Sequence, residues 1–414
     1  MRKEQADVVI IGAGPAGLAA ATELRRHGPS RVVVLDREAS PGGIPRHSHH
    51  AGYGLRDLHR VLTGPAYAQH YTQLATGAGA EIRTGTAVTH WESHRVLAST
   101  SPDGLAEWHA RAVLLATGCR ERPRAAELVP GDRPAGVLTT GALQQLAGVH
   151  QLPVGRCAVV VGAEHVSFSA VHTLAAHGVT VAAVVTRYPR PQTYRTLQAV
   201  TAGRHRVPIF TSTEVSDICG ARRVERVTLR NSRSGTTRDI ECDTIVFTGD
   251  WIPDHELART AGLDMDHGTR GPCVDQVMRT SQPGVFAAGN LTHPAETADV
   301  AALAGRHAAG AITAYLSGES WPTTWTPVAC ADPLRWIWPP RLSAGTSPPP
   351  RGRLIARALS FCGPGHLEIT QNGQLLYRER KRRLVPNQSI TLQAGWLPRV
   401  APAAGPVSVH WSPG

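Results

Sequence analysis

The stretch that decides the fold lies near the start of the chain and reads Val8-Val9-Ile10-Ile11-Gly12-Ala13-Gly14-Pro15-Ala16-Gly17. Its apolar half predicts a short buried parallel strand, and residues 18–27 continue with the spacing of small and apolar residues that is typical of a helix. A second apolar run, 32–35, ends directly at Asp36. This order of strand, glycine turn, helix and strand predicts a dinucleotide site.

Each glycine of the turn has its own task in such a site. Gly12 permits the tight turn, Gly14 lets the backbone approach a pyrophosphate, and Gly17 lets the helix pack closely on the strand. The start of the helix supplies N–H groups and partial positive charge to the phosphates. Asp36 lies where a carboxylate would accept hydrogen bonds from both ribose hydroxyls.

Length and composition indicate a large enzyme of two or three domains, because 414 residues exceed one compact core. The net charge of +11 comes from scattered arginines, since the only lysines are Lys3 and Lys381. No basic stripe interleaved with aromatic residues is present, so we expect no nucleic-acid partner. No apolar run reaches the roughly 20 residues of a membrane span. A strand follows the first few residues directly, so we expect no signal peptide and a cytoplasmic location.

The cysteines are widely dispersed along the chain. The closest two, Cys219 and Cys242, are 23 residues apart. This spacing excludes a CxxC redox dithiol, a zinc ribbon and a clustered iron–sulfur motif. We expect buried or inert thiols in a reducing compartment.

Four later segments extend the pattern of strands that end in small-residue turns. Residues 112–118 form an apolar strand that ends in Ala116-Thr117-Gly118, and residues 243–250 repeat this form. Residues 157–162 make a second strand-to-glycine junction, and residues 280–290 combine a turn, a strand and a glycine. The chain therefore begins one βαβ unit near residue 8, begins another near 157, and returns to the first near 285.

In this combination of motifs, residues 5–318 resemble the flavoproteins with two dinucleotide-binding domains, the glutathione reductase-like superfamily. Within it, 41–47 (PGGIPRH) and 136–141 (GVLTTG) are most similar to the FAD/NAD-binding subunits of opine and D-hydroxyproline dehydrogenases, hydrogen cyanide synthase and heteromeric sarcosine oxidase. The resemblance implies an α/β fold of two Rossmann-like domains, the second inserted in the first. We expect an FAD-binding domain over 1–120 and 251–320, and an inserted NAD(P)-binding-like domain over 121–250.

The resemblance also assigns cofactor-binding residues. It implies FAD contacts from Gly12, Ala13, Gly14, Gly17, Asp36, Arg37, Gly42, Gly43, Val88, Ala116, Thr117, Gly118, Gly289, Asn290 and Thr297. Val88 would meet the adenine through its backbone, and Thr297 begins the helix whose positive end would face flavin N1 and O2. Gly289 and Asn290 would hold the ribityl chain. The family has Asp at position 290, so this chain loses one charge-assisted hydrogen bond there.

The segment Arg46-His47-Ser48-His49-His50 is the candidate for chemistry at the flavin. Oxidation of an amine or hydroxy acid needs a carboxylate clamp and a proton acceptor. Arg46 could be the clamp or a flavin partner, and His47, His49 or His50 could be the base near neutral pH. The alternative is that these histidines only bind backbone. We predict no metal site, because no acidic ligand lies close by in the sequence.

The second glycine fingerprint is degraded, which makes NAD(P) binding doubtful. Where a working motif needs glycine at 164 and a small residue at 167, the chain has Glu164 and Ser167. Glu164 would place bulk and negative charge in the path of the pyrophosphate. Arg187, after the next strand, could still attract a 2′-phosphate.

The region after residue 318 departs from the family core. Residues 321–352 are rich in Pro and Trp and predict an extended linker or strap. Residues 353–414 predict a small β domain, with a hairpin turn at Asn372-Gly373. The basic run 378–383 is either a solvated strand face or a docking surface for an acidic partner. Related subunits with cysteine-rich C-termini bind an iron–sulfur cluster there, but this region lacks the cysteines.

These observations predict an FAD-dependent oxidoreductase that oxidises a small amine, imino acid or hydroxy acid. Its flavin would take the hydride, and the electrons would pass to oxygen, to a quinone or to a second dehydrogenase subunit. Two alternatives stay open: an NAD(P)H-dependent flavin reductase or electron-transfer subunit, and a non-catalytic FAD-binding scaffold subunit of a dehydrogenase complex.

Overall fold

The computed structural model describes residues 2–194, 207–402 and 404–414. The α-helices of these residues are α1 Pro15–His27, α2 Gly64–Gly77, α3 Thr140–Gln144, α4 His165–Ala176, α5 Glu256–Thr260 and α6 Ala298–Leu316. Helix α1 begins after Gly14 in extended conformation, with Pro15 at its first position, where a missing N–H costs nothing.

The strands are numbered along the chain. The first nine are β1 Arg2–Ile11, β2 Val32–Leu35, β3 Ala51–Tyr53, β4 Leu62–Thr63, β5 Glu81–Arg83, β6 Ala87–Ser93, β7 Val96–Ser101, β8 Gly104–Leu115 and β9 Cys119–Glu121. The next nine are β10 Val137–Thr139, β11 Cys157–Val161, β12 Thr180–Val185, β13 Ile209–Phe210, β14 Thr213–Cys219, β15 Arg226–Asn231, β16 Thr237–Glu241, β17 Thr244–Phe247 and β18 Trp251–Pro253. The last nine are β19 Val285–Ala287, β20 Thr326–Cys330, β21 Leu334–Trp338, β22 Arg341–Leu342, β23 Arg353–Ala358, β24 Gly365–Gln371, β25 Gln374–Lys381, β26 Ile390–Gln393 and β27 Val407–Pro413.

The chain divides into two compact units. The first contains residues 1–46, 52–119 and 253–414, and the second contains 47–51 and 120–252. The sequence places the insertion at 121–250, close to these limits. The structure differs in grouping 47–51 with the second unit and the whole C-terminal region with the first.

The first unit is built on a parallel sheet that continues into an antiparallel meander. Its order is β5-β2-β1-β8-β7-β6, with β19 also paired to β8. Strands β5, β2, β1, β8 and β19 run parallel, and β6, β7 and β8 alternate in direction. Helices α1 and α6 pack closely, since a Cβ on Gly305 would lie 1.9 Å from the carbonyl oxygen of Ala16. Backbone contact of this kind requires glycine and holds the middle of α6 against the first turn of α1.

The second unit repeats the Rossmann arrangement. Its parallel sheet has the order β10-β17-β11-β12-β13. Helix α4 connects β11 to its neighbour β12 along the chain and packs against both strands. A separate antiparallel sheet, β14-β15-β16, completes the unit. The prediction of two Rossmann-like domains, with the second inserted in the first, is confirmed.

The C-terminal region consists of two sheets around one apolar core. One sheet has the order β22-β20-β27-β24-β25 and the other β21-β23-β26. The predicted hairpin joins β24 to β25, and Asn372 and Gly373 have φ of +49° and +75°, as a primed turn requires.

Residues 321–352 do not form the extended linker that their Pro and Trp content suggests. Strands β20, β21 and β22 lie within this segment and pair into the two C-terminal sheets. The physical reason is that Trp336 and Trp338 are almost fully buried. Burial of these large side chains stabilises the segment as strands, which composition alone does not reveal.

Candidate functional site

The turn between β1 and α1 has two glycines that no other residue could replace without a shift. Gly12 has φ of +107°, and a Cβ there would lie 2.4 Å from the carbonyl oxygen of Ala116. A Cβ on Gly17 would lie 1.9 Å from the carbonyl oxygen of Gly12. The turn is therefore held against both the neighbouring strand and its own helix by backbone contact.

Gly14 has the opposite environment. It is the N-cap of α1, and a Cβ built on it would meet no atom within 4 Å. The first turn of α1 has no acidic residue. Bare backbone, open space and a positive helix end fit a bound pyrophosphate, which is the group that FAD would place here.

Asp36, immediately after β2, braces this turn. Its Oδ2 accepts a hydrogen bond from the N–H of Ala13 at 2.5 Å, and its Oδ1 accepts one from the N–H of Glu38 at 2.8 Å. Burial raises the pKa of Asp36 above its ordinary value. Each oxygen keeps acceptor capacity for a ribose hydroxyl. Arg37 is exposed and forms an ion pair with Asp254 at 3.5 Å.

Gly42 and Gly43 lie against the same turn. The N–H of Gly42 donates to the carbonyl oxygen of Ala13 at 2.8 Å. Gly43 has φ of +62°, and a Cβ there would lie 2.9 Å from the Cα of Gly14. The structure thus brings both predicted glycines to the dinucleotide turn.

The Ala116-Thr117-Gly118 turn after β8 borders Gly12. The N–H of Ala116 donates to the carbonyl oxygen of Ile11 at 2.8 Å, and Thr117 Oγ1 donates to that of Asp254 at 2.7 Å. The carbonyl oxygen of Gly118 accepts from the N–H of Asp254 at 2.9 Å. Val88 lies in β6, on the meander of the same sheet, and is half-buried.

The side-chain amide of Asn290 makes two hydrogen bonds, of which the family's aspartate could make only one. Its Oδ1 accepts from the N–H of Glu296 at 2.8 Å, and its Nδ2 donates to the carbonyl oxygen of Glu296 at 3.0 Å. A carboxylate could make only the first of these bonds. Gly289, with φ of +72°, packs next to Ala16 of α1, so the loop 290–297 leads from the glycine turn to the start of α6.

Two residues that form an ion pair at the start of α6 were missed by sequence reasoning. Asp299, in the first helical turn, is buried and forms an ion pair with Arg56 at 3.3 Å. Arg56 Nη1 also donates to Thr297 Oγ1 at 3.1 Å. An acidic residue just after a threonine N-cap was the available signal. This pair adds charges of both signs to the helix end that the resemblance places at the flavin.

Arg46 falls in the first unit, at the end of residues 1–46. Its Nη2 lies 3.2 Å from Oε2 of Glu38, two residues beyond Asp36. The predicted carboxylate clamp therefore forms an ion pair with an acidic side chain close in sequence to Asp36, the predicted ribose-binding residue. Its role as a clamp stays a prediction.

The histidines of the candidate segment fall in the second unit. His47 is buried and His49 is exposed, on the rim of a small pocket with Ala147, Gly148, Gln151 and His177. The Nδ1–H of His50 donates to the carbonyl oxygen of Ala51 at 2.8 Å, which places the lone pair of the neutral ring on Nε2. Burial lowers the pKa of His50, which favours the neutral ring.

The second nucleotide turn is filled by its own side chain. Glu164 is the buried N-cap of α4, and its Oε1 accepts from Thr248 Oγ1 at 2.6 Å. A Cβ on Gly162 would lie 2.8 Å from that same Oε1. The N–H of Glu164 donates to Ser167 Oγ at 3.1 Å. Burial raises the pKa of Glu164. The carboxyl group thus lies at the end of the helix where a pyrophosphate would bind.

The described residues contain neither a metal-binding cluster nor a membrane-spanning helix. No group of three or more His, Cys, Asp and Glu side chains in the described ranges is arranged to hold a metal ion. No helix among the same residues is long and apolar enough to cross a membrane.

Comparison with known proteins agrees with the geometry. Residues 6–305 match the family model for pyridine nucleotide-disulphide oxidoreductases. An opine oxidase subunit of Agrobacterium tumefaciens (strain Ach5) is 28% identical over an alignment of 361 residues, which covers 78% of this chain and 68% of that protein. Thioredoxin reductase of Treponema pallidum (strain Nichols) is 27% identical over 291 residues, covering 69% of this chain and 88% of that protein.

A solved structure supports the fold. The crystal structure of T. acidophilum thioredoxin reductase superposes with a TM-score of 0.63 at 23% identity, covering 77% of this chain and all of that one. The predictions of the superfamily, of FAD and of an oxidoreductase are confirmed. The chain belongs to the pyridine nucleotide-disulphide oxidoreductase family and is an FAD-dependent oxidoreductase.

Proposed function

We propose that this chain is the flavin-bearing subunit of an enzyme that oxidises a small amine, imino acid or hydroxy acid. The observation that carries the proposal is the contrast between an open dinucleotide turn at Gly14 and a turn filled by Glu164 in the second unit. Electrons would enter from an organic substrate and leave to a partner subunit or a small acceptor. The relative from the opine oxidase of Agrobacterium tumefaciens supports both the substrate class and the assembly.

Disulfide reduction is disfavoured by the cysteines. Dithiol exchange needs two thiols close enough to form and break an S–S bond. The chain has no CxxC pair, the arrangement that holds two redox thiols together within a few residues. Burial raises the pKa of Cys242 to about 12 and that of Cys273 to about 11, which keeps these thiols protonated and unreactive. The similarity to thioredoxin reductases therefore supports a shared fold, and we do not extend it to disulfide reduction.

We assign roles to the chain's own residues as follows. The backbone at Gly12, Gly14 and Gly17 binds the pyrophosphate, and Asp36 binds the ribose. Bound FAD supplies a two-electron acceptor. Arg46, His47, His49 and His50 stay the proposed substrate residues, and His50 is favoured as proton acceptor because burial keeps it neutral.

One alternative has a specific observation in its favour. Arg187 follows β12, where a cation can accept a 2′-phosphate, so an NADPH-dependent flavin reductase is the second candidate function. A silent FAD-binding scaffold subunit is the third.

Anaerobic bleaching of the flavin distinguishes these functions. The holoprotein is mixed with amino acids, opines, hydroxy acids, NADH and NADPH in separate reactions. Bleaching by an amine or hydroxy acid supports the proposal. Rapid bleaching by micromolar NADPH supports the reductase. No bleaching by any member of the panel, while dithionite still reduces the flavin, supports the scaffold.

A further inference from the structure

A buried ion pair connects the C-terminal β structure to the loop 290–297. Arg357 of β23 and Glu296 approach to 2.6 Å, and both side chains are only 7% exposed. Arg357 Nη2 also donates to the carbonyl oxygen of Ala295 at 2.7 Å. Ser389 adds a third bond, from its Oγ to Glu296 Oε1 at 2.7 Å. Two residues from the C-terminal region thus hold one residue of the loop.

Strand alternation explains why Arg357 points towards this loop. Residues Leu354, Ala356 and Ala358 of β23 pack in the C-terminal core, so Ile355 and Arg357 lie on the opposite face. Ile355 joins the core of the Rossmann-like part of the first unit, together with Trp336 and Trp338 of the paired strand β21. The guanidinium carbon of Arg357 lies 5.4 Å from the ring centre of Trp336.

The electrostatics show that the pair is strongly coupled. Burial alone would raise the pKa of Glu296, but the charge of Arg357 and hydrogen bonds from Ser389 and Arg357 hold it below its ordinary value. Glu296 is therefore a carboxylate that depends on Arg357. Removing one partner of such a pair leaves an uncompensated buried charge, which is strongly unfavourable.

Glu296 passes this constraint to Asn290 through its backbone. Its N–H and carbonyl oxygen each bond to the Asn290 amide, and the next residue, Thr297, is the N-cap of α6. Fixing the Glu296 side chain therefore fixes both ends of the loop. Each link in this path is a direct hydrogen bond or a peptide bond.

We propose that Arg357 is a positioning residue for the flavin site, through which the C-terminal β structure sets the geometry of Asn290 and the start of α6. The inference rests on the proposed placement of Gly289, Asn290 and Thr297 at the ribityl chain and pyrimidine side of FAD. The C-terminal region, which lacks the cysteines for an iron–sulfur cluster, would then contribute to FAD binding instead.

The test compares Arg357→Met with Arg357→Lys and wild type in the full-length protein. We measure the dissociation constant for FAD by reconstituting apoprotein, together with the visible circular dichroism and midpoint potential of the bound flavin. We expect Arg357→Met to raise the FAD dissociation constant by about two- to thirty-fold and to change both flavin signals. Arg357→Lys should restore part of the affinity, because it keeps the charge beside Glu296 but not the geometry in which Nη2 donates both to Glu296 and to the carbonyl oxygen of Ala295.

Arg341→Met is the matched control. Arg341 is similarly buried, comes from β22 of the same region, and forms an ion pair at 3.3 Å with Asp264, outside the loop 290–297. It should lower stability without changing FAD affinity or flavin signals. Equal losses in the Arg341 and Arg357 variants would overturn the proposal, as would wild-type FAD affinity and potential in Arg357→Met.

Two further variants keep the test decisive if Arg357→Met does not fold. Glu296→Gln removes the charge but keeps the backbone bonds to Asn290, and Ser389→Ala removes one exposed hydroxyl. Ser389→Ala should weaken FAD binding less than Arg357→Met. Glu296→Gln leaves the charge of Arg357 uncompensated, so it should weaken FAD binding by a factor similar to that of Arg357→Met and reduce the further effect of Arg357→Lys. Unchanged FAD affinity in both would contradict the proposal. The substrate panel reports separately on the proposed function, because FAD affinity is measured without substrate.

Discussion

The two strand–turn–helix units of this chain have the same backbone arrangement, but the turn of the first is open and the turn of the second is filled by a side chain. In the first, Gly14 faces open space before α1. In the second, the equivalent position is Glu164, whose carboxyl group bonds to Thr248 and lies beside Gly162. The comparison teaches that a strand–turn–helix unit keeps its fold when a large side chain replaces the second glycine of its turn. Parallel strand pairing and helix packing do not depend on the glycine that a pyrophosphate needs.

The largest expected effect comes from filling the open turn. Gly14→Val should raise the FAD dissociation constant on the order of a hundredfold or more, because the side chain would occupy the path of the pyrophosphate and block several backbone hydrogen bonds. Gly77→Val is the control, since a Cβ on Gly77 also meets no atom within 4 Å. Cofactor release by heat followed by chromatography measures occupancy. Full FAD occupancy in Gly14→Val would remove the basis of the comparison.

The second effect concerns acid stability of the first unit. Burial lowers the pKa of His293 to about 4, and Glu296 and Arg357 are the charged groups acting on it. The unfolded chain binds this proton near pH 6.5 and the folded chain does not, so stability is lost as pH falls from 6.5 towards 4. The expected loss is about 3 kcal/mol. His293→Phe should flatten this slope in urea unfolding, whereas exposed His27→Phe should not; equal slopes in both variants would contradict the assignment.

The third effect comes from emptying the filled turn. Glu164→Gly should tighten NADH or NADPH binding by about ten- to a hundredfold, because it removes bulk and like-charge repulsion together. Glu164→Gln removes only the charge and should gain less. Anaerobic titration followed by flavin reduction measures the change. If wild type already reduces rapidly at micromolar nucleotide, Glu164 does not block the site and the reductase alternative is favoured.

The smallest effect concerns the pH dependence of stability in the second unit, which has the opposite sign to that of His293. Burial raises the pKa of Glu164, so its contribution to stability is present at low pH and is lost as pH rises through the folded-state pKa, above the ordinary value of 4.5. Glu164→Gln should therefore gain stability relative to wild type as pH rises. Urea midpoints at pH 5 and pH 8 test this, and a constant difference between the two proteins would contradict it.

Local sequence rules identified most of the FAD turn. Gly12, Gly14 and Pro15 each meet a requirement of the local backbone, such as positive φ or a helix start, and Gly17 and Asp36 were identified by their spacing in the motif. The hairpin at Asn372-Gly373 follows from the same kind of rule. Glu164 could likewise be recognised as a departure from the motif by its position alone.

Contacts between distant residues were not accessible in this way. Arg357 and Glu296 are 61 residues apart, and no local pattern pairs them. Pro and Trp content predicted a linker over 321–352, because composition does not reveal the later strands with which this segment pairs. The grouping of 47–51 with the second unit also depends on packing beyond the loop.

The sequence by itself determined the two Rossmann-like units, the open and filled turns, and the absence of a CxxC motif. Those features depend on backbone conformation and residue size at single positions, which neighbouring residues specify. Only the tertiary structure decided that Asn290 is held by Glu296, and that Glu296 is held in turn by Arg357. The energy of a buried ion pair depends on burial and on a partner brought close by the whole fold.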